Sequence, residues 1–123
     1  RVARTIQIPA AGPHGLEVDE ASRLYVACDA GRLLVLAPPN YGVAAELALA
    51  GSPDVIFLDS TLRHLYVAIG DPGLIEVFDI GRLERVEAVP TEQGAHTIGL
   101  DADSHRVYAF LPATHRAAVF AEA

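Results

Sequence analysis

The chain contains one short pattern three times, and this repetition constrains its fold more than any other feature. The turn-then-strand segment PHGLEVD returns as SPDVIFLD and again as AHTIGLD, and each copy is followed by two further strand-like segments. Each second segment carries a tyrosine, and Tyr25, Tyr66 and Tyr108 are 41 and 42 residues apart. This period is typical of four-stranded propeller blades and differs from that of most helical solenoids.

The segments between turn signals have the length and composition of β-strands. Twelve runs rich in Val, Ile, Leu, Tyr and Phe are too short for ordinary helices. Some, such as VIFLD, are apolar at successive positions, so both faces of the sheets are expected to be buried. A propeller buries both faces because each blade packs between two neighbours, whereas a two-layer sandwich leaves its outer faces wet. The sequences Asp29-Ala30-Gly31 and Asp71-Pro72-Gly73 predict tight turns between strands.

The strand count predicts an all-β chain that forms one β-propeller segment, residues 1–123, with three four-stranded blades. The blades are expected at about residues 10–50, 51–91 and 92–123, with residues 1–9 as an outermost strand. Twelve strands at four per blade leave none over.

The repeat resembles those of the YVTN and NHL β-propeller families. Its first copy reads PHGLEVD, then RLYVA, then RLLVL, close to a family pattern of Pro-x-Gly-apolar-x-apolar-Asp followed by a strand with Tyr-Val. The second copy has Val55 in place of the Gly, and the third has Ala95 in place of the Pro and Tyr108-Ala109 in place of Tyr-Val. The resemblance covers nearly the whole chain. It implies the fold but little about activity, because similar propellers are binding platforms, scaffolds, lactonases and lyases.

Three blades are too few to close a ring, since propellers hold four to eight. We expect either a homodimer that completes a six-bladed ring or further blades in a longer parent chain. In the dimer, Thr5–Ile8 of one copy would pair with Ala118–Phe120 of the other. The chain does not begin with Met and shows no secretory signal, so it is expected to be a processed product or a fragment.

Charge and hydropathy argue against nucleic acid and against a membrane span. The formal net charge is −7 and the arginines are scattered singly, so a phosphate backbone would be repelled. No apolar run approaches the roughly 18 residues that a bilayer span needs. The single cysteine, Cys28, follows a strand pattern and is expected to be buried. The sequence does not indicate the cellular compartment of the protein.

The candidate site consists of the residues that begin the inner strands. His14, Asp54 and His96 occupy equivalent repeat positions, which places them near one mouth of the predicted channel, and Glu17 follows on the first inner strand. Imidazole and carboxylate groups bind metals and transfer protons. The structural interpretation is that they line the channel, because YVTN-like repeats often begin with Pro-His. The other histidines, His64, His105 and His115, are expected at the surface.

Two classes of function stay open at this point, and whether the protein is an enzyme is not decided. One is a non-catalytic binding or scaffold module with a ligand surface at the channel mouth. The other is a metal-assisted lyase or a lactonase-type hydrolase that uses the channel histidines. Related calcium-dependent lactonases use Glu, Asn and Asp, whereas the one Asn here, Asn40, lies in a turn. No nucleophile elbow, phosphate loop or zinc motif is present, and no cofactor is predicted.

Overall fold

The protein folds into three antiparallel sheets in a computed structural model that describes residues 1–122. The first and second sheets have four strands each in sequence order, and the third has three, in the order β11-β10-β9. The strands are β1 Pro13–Val18, β2 Leu24–Cys28, β3 Arg32–Ala37, β4 Gly42–Ala48, β5 Pro53–Asp59, β6 His64–Ile69, β7 Leu74–Asp79, β8 Glu84–Pro90, β9 Ile98–Asp101, β10 Arg106–Leu111 and β11 Arg116–Ala121. Across residues 1–122, no helix is long and apolar enough to cross a membrane.

Neighbouring sheets pack face to face through apolar side chains, as the successive apolar positions predicted. Between the first and second sheets, Tyr25 and Val35 belong to one cluster with Leu65 and Phe78. Between the second and third sheets, Tyr66 lies in a second cluster that includes residues of β9 and β10. Tyr25 and Tyr66 therefore have the same role, each packing toward the next sheet along the chain. Cys28 is fully buried, as expected.

The tight turns lie where the sequence indicates them. Gly31 and Gly73 follow β2 and β6 and have φ angles of 79° and 105°, in the left-handed region that glycine enters without steric cost. At Gly73 a Cβ atom would clash with the backbone carbonyl of Glu92. Glycine is therefore required at this turn for space as well as for conformation.

Residues 1–9 differ from the prediction because they form no strand, so eleven of the twelve predicted strands are present in the described chain. The segment lies instead against the outer face of the first sheet. Ile8 and Ala10 pack on a cluster that includes Val26 and Leu34, and Arg4 donates a hydrogen bond to the carbonyl of Pro39 at 2.6 Å. A strand needs a hydrogen-bonded neighbour, and the partner predicted for this segment belongs to another copy.

Candidate functional site

His14 lies between two carboxylates where the first and second inner strands begin. Its Nδ1 is 3.2 Å from Oδ1 of Asp29, which follows β2, and its Nε2 is 3.1 Å from Oδ1 of Asp54 on β5. Ser52 donates a hydrogen bond to the same Asp29 oxygen at 3.0 Å. Close approach of β1 and β5 makes this possible, because the backbone at Gly15 lies against Ile56 and the carbonyl of Asp54. We call these four residues, His14, Asp29, Ser52 and Asp54, the His14 cluster.

The two ring nitrogens of His14 have different contacts in the His14 cluster. A carboxylate only accepts hydrogen bonds, so the ring donates from Nδ1 to Asp29, whereas Nε2 lies 3.1 Å from Asp54 as a close contact without hydrogen-bond geometry. Hydrogen bonds from Ser52 and His14 hold the pKa of Asp29 below its usual value. The side chains stay accessible, since those of His14 and Asp29 are 49% and 51% exposed.

The structure brings His14 and Asp54 together but leaves His96 and Glu17 apart from them. His96 Nδ1 contacts the carbonyl of Gly94 at 2.8 Å, beside Gly70 at the end of β6. Within residues 1–122, no hydrogen bond or ion pair joins His96 to His14 or Asp54. Glu17 is half-buried further along β1, and desolvation raises its pKa despite a hydrogen bond from the backbone of Leu58.

Two histidines expected at the surface are part of the junction between the second and third sheets instead. His105 Nδ1 contacts Oδ2 of the fully buried Asp59 at 2.6 Å, and His64 Nδ1 contacts Oε1 of Glu122 at 2.8 Å. Tyr66 donates its hydroxyl to the same Glu122 oxygen at 2.6 Å. The expectation of solvated surface is wrong for these two side chains, because carboxylates distant in sequence draw them inward.

The part of the chain that the structure describes contains no group of three or more His, Cys, Asp or Glu side chains arranged to hold a metal ion. The His14 cluster has three such residues, but His14 lies between the two carboxylates rather than beside them around a common point.

Comparison with known proteins identifies the fold and no more. No family model and no curated protein matches the sequence. Among solved structures, the chain is similar to Kuenenia stuttgartiensis hydrazine synthase, with a TM-score of 0.73, 16% identity and 87% of this chain covered. It is also similar to the dihydro-heme d1 dehydrogenase NirN in complex with DHE (TM-score 0.76, 18% identity, 91% covered) and to a Bacteroides caccae protein of unknown function (0.64, 15%, 77%).

The matched regions are 31%, 26% and 36% of those three chains, so this chain spans about a third or less of their length. At such low identities the likeness shows the fold alone. The fold is all-β and β-propeller-like.

Proposed function

We propose that this chain is a non-catalytic binding or scaffold module of a β-propeller, with its ligand surface at the end where the inner strands begin. The observation that carries the proposal is the position of His14, whose two ring nitrogens both face carboxylate oxygens. In that arrangement the imidazole donates a hydrogen bond to Asp29 of the first sheet and lies against Asp54 of the second. The exposed oxygens of Asp29 and Asp54 around it suit a ligand with donor or cationic groups.

The competing hypothesis is the metal-assisted lyase or hydrolase, in which His14 and His96 would be metal ligands. The two hypotheses are separated by elemental analysis of the purified protein, together with thermal melts in the presence and absence of Zn²⁺ and Ca²⁺. A binding module is expected to carry no stoichiometric metal and to melt at the same temperature with either ion, since a ligand stabilises only a fold that binds it.

The variants His14→Ala and His96→Ala sharpen this test. His14→Ala is expected to lower the melting temperature by a few degrees with no metal present, because Asp29 loses a hydrogen-bond donor and Asp54 loses a close polar contact. His96→Ala is the matched control, since its ring hydrogen-bonds the backbone carbonyl of Gly94 and no carboxylate pairs with it in residues 1–122. Stoichiometric metal that disappears in both variants would replace the binding hypothesis with the enzymatic one.

The proposed assembly is three blades per chain that join further blades. The outward face of the third sheet carries Tyr108, Phe110 and Val119, which are 38%, 64% and 56% exposed, and a contiguous apolar patch of this kind is rare on soluble monomers. At the opposite end, Ile8 and Ala10 lie on the first sheet much as Leu47 and Leu49 lie on the second. A second copy would supply three strands beside residues 4–9 and complete a six-bladed ring. Further blades in a longer parent chain would cover the same faces.

A further inference from the structure

The two junctions between sheets are built from equivalent positions, which allows them to be compared residue by residue. Tyr25 pairs with Val35 across β2 and β3, and Tyr66 pairs with Val77 across β6 and β7, so positions counted from these pairs correspond. Tyr108 and Val119 form the corresponding cross-strand pair in the third sheet. The first junction then contains Asp19, Arg23, Tyr25, Arg63 and Ile80, and the second contains Asp59, His64, Tyr66, His105 and Glu122.

The second junction satisfies its donors with two carboxylates. Asp59 accepts from His105, and Glu122 accepts from both His64 and Tyr66. Burial alone raises the pKa of Glu122, but the hydrogen bonds from Tyr66 and His64 outweigh it and hold that pKa below its usual value. Each donor of this junction therefore has an anionic acceptor.

The first junction has one carboxylate fewer, because Ile80 occupies the position that corresponds to Glu122. Asp19 is engaged by its own sheet: Arg23 Nε and the Tyr25 hydroxyl each lie 2.8 Å from Oδ2. Arg63 corresponds to His105, and the two residues have similar φ angles of 59° and 56°. Yet no carboxylate of residues 1–122 lies within ion-pair distance of the Arg63 guanidinium.

Arg63 lines a cleft of about 300 Å³ between the first and second sheets. This volume is at the small end of the range for ligand pockets. Ser60 supplies a hydroxyl to the lining, and Leu58 and Ile80 supply apolar surface. Glu20 and Ala21, with Asp19 and Arg23, complete the lining. The cleft thus combines a guanidinium that lacks a carboxylate partner with an apolar wall.

We infer that this cleft binds a small organic carboxylate, whose anionic group pairs with Arg63 and whose apolar part packs on Leu58 and Ile80. The ligand's carboxylate pairs with Arg63 as Asp59 pairs with His105 at the second junction. A guanidinium binds a planar carboxylate through two parallel hydrogen bonds. A monoanion suits the cleft better than a phosphate dianion, because Asp19 and Glu20 already place two acidic groups in its lining. The inference is independent of the His14 cluster and of how the chain assembles.

The test uses benzoate as the probe, titrated into the ¹⁵N-labelled chain and followed by NMR. We expect saturable shifts at the amides of Ser60, Arg63 and Ile80. Benzyl alcohol, which has the ring without the charge, is expected to give none, and phenyl phosphate is expected to bind more weakly. Absence of saturable shifts with benzoate, or equal shifts with benzyl alcohol, overturns the inference. Tighter binding of phenyl phosphate overturns the assignment to a carboxylate.

Two variants assign the binding to Arg63. Arg63→Gln is expected to weaken benzoate binding about tenfold or more, because a charge-assisted pair is lost. The matched control Arg32→Gln removes an arginine that pairs with Glu46 at the opposite end of the first sheet, and it should bind as the parent does. Unchanged binding in Arg63→Gln overturns the inference.

The variant Ile80→Glu restores within the chain the carboxylate that the second junction has. We expect it to abolish benzoate binding, because the added carboxylate accepts from Arg23 and Tyr25, as Glu122 accepts from His64 and Tyr66, and Asp19 is then released to pair with Arg63. Because Ile80 is buried, a charged side chain at this position can disturb folding. Circular dichroism therefore checks that the variant folds. Benzoate binding at parental affinity in folded Ile80→Glu contradicts the inference, and Arg63→Gln decides the question if Ile80→Glu does not fold.

Discussion

At the scale of single residues, the three repeated aspartates show how one local role acquires three environments. Each accepts a backbone N–H from the turn that follows its strand: Ala21 for Asp19, Thr61 for Asp59 and Asp103 for Asp101. Only Asp59 is fully buried, and it alone of the three accepts a hydrogen bond from the next sheet. The hydrogen bond to the following turn is therefore common to all three repeats. The hydrogen bond to the next sheet forms only at Asp59, where that sheet places His105 beside the carboxylate.

Asp59 makes the fold sensitive to acid. Burial alone raises its pKa, but hydrogen bonds from the Leu62 amide and His105 outweigh burial and hold the pKa below its usual value. The stabilisation of the folded state by ionised Asp59 is therefore fully present above the unfolded pKa of about 3.9. It is lost as pH falls through the lower pKa of Asp59 in the folded state. We expect the free energy of unfolding, measured by urea denaturation, to decline as pH falls below about 4.

Asp59→Asn is expected to remove part of that acid dependence and to cost about 1 to 3 kcal/mol at neutral pH, because a buried charged acceptor is lost. Asp101→Asn is the matched control, since it changes the same repeat position where the side chain is exposed. Equal losses in the two variants would contradict a special role for Asp59 between the sheets.

At the scale of elements, the turns after β2 and β6 share the sequence Asp-x-Gly but have different surroundings. Gly31 has open space, since its nearest neighbour to an added Cβ is the carbonyl of Leu49 at 3.9 Å. Gly73 packs directly against Glu92, which itself accepts N–H groups from Ala113 and Thr114 of the third sheet. The glycine of the turn after β6 is thus packed in the contact between sheets, whereas at the turn after β2 that contact is made by Asp29, which accepts a hydrogen bond from Ser52, and not by Gly31.

Gly31→Ala is expected to cost about 1 kcal/mol, because alanine is strained at a left-handed φ angle. Gly73→Ala is expected to cost about 2 to 4 kcal/mol, since it adds a clash with the Glu92 backbone to the same strain. The two midpoints of urea denaturation measure the difference. If the variants are equally stable, the close approach of Gly73 to Glu92 has no energetic weight.

The sequence predicts elements well here because strands and turns are encoded locally. Alternating and continuous apolar runs predicted eleven strands to within a few residues, and repeat equivalence predicted that His14 and Asp54 lie at one end of the sheets. The contacts of His64 and His105 were missed because their acceptors are 58 and 46 residues away. The sequence does contain a signal for the position of His105. It shares a repeat position with Arg63, and both residues carry a side-chain hydrogen-bond donor beside the preceding sheet.

At the scale of the whole molecule, the two ends of the array are apolar and differ in how they are covered. Residues 1–10 cover part of the first sheet's outer face, but Leu16 and Val18 of β1 remain 63% and 56% exposed. The outer face of the third sheet, at the other end of the array, carries Tyr108, Phe110 and Val119. Two apolar faces at opposite ends of an array suit a heterologous contact in which one end meets the other. A twofold pair of such contacts closes a ring.

The proposed dimer is tested by sedimentation of the chain at micromolar concentration. We expect a dimer for the parent, because closing the ring buries both apolar faces of each copy. Phe110→Asp is expected to yield monomers, since it places a charge on the face that must be buried. Val86→Asp is the matched control, because Val86 is an exposed valine on β8, away from both ends of the array.

Deletion of residues 1–9 is expected to cause aggregation, because it uncovers the first sheet and leaves β11 of the partner without its fourth strand. A stable monomeric parent, or a Phe110→Asp variant that still dimerises, would contradict the ring and would leave a longer chain as the source of the missing blades.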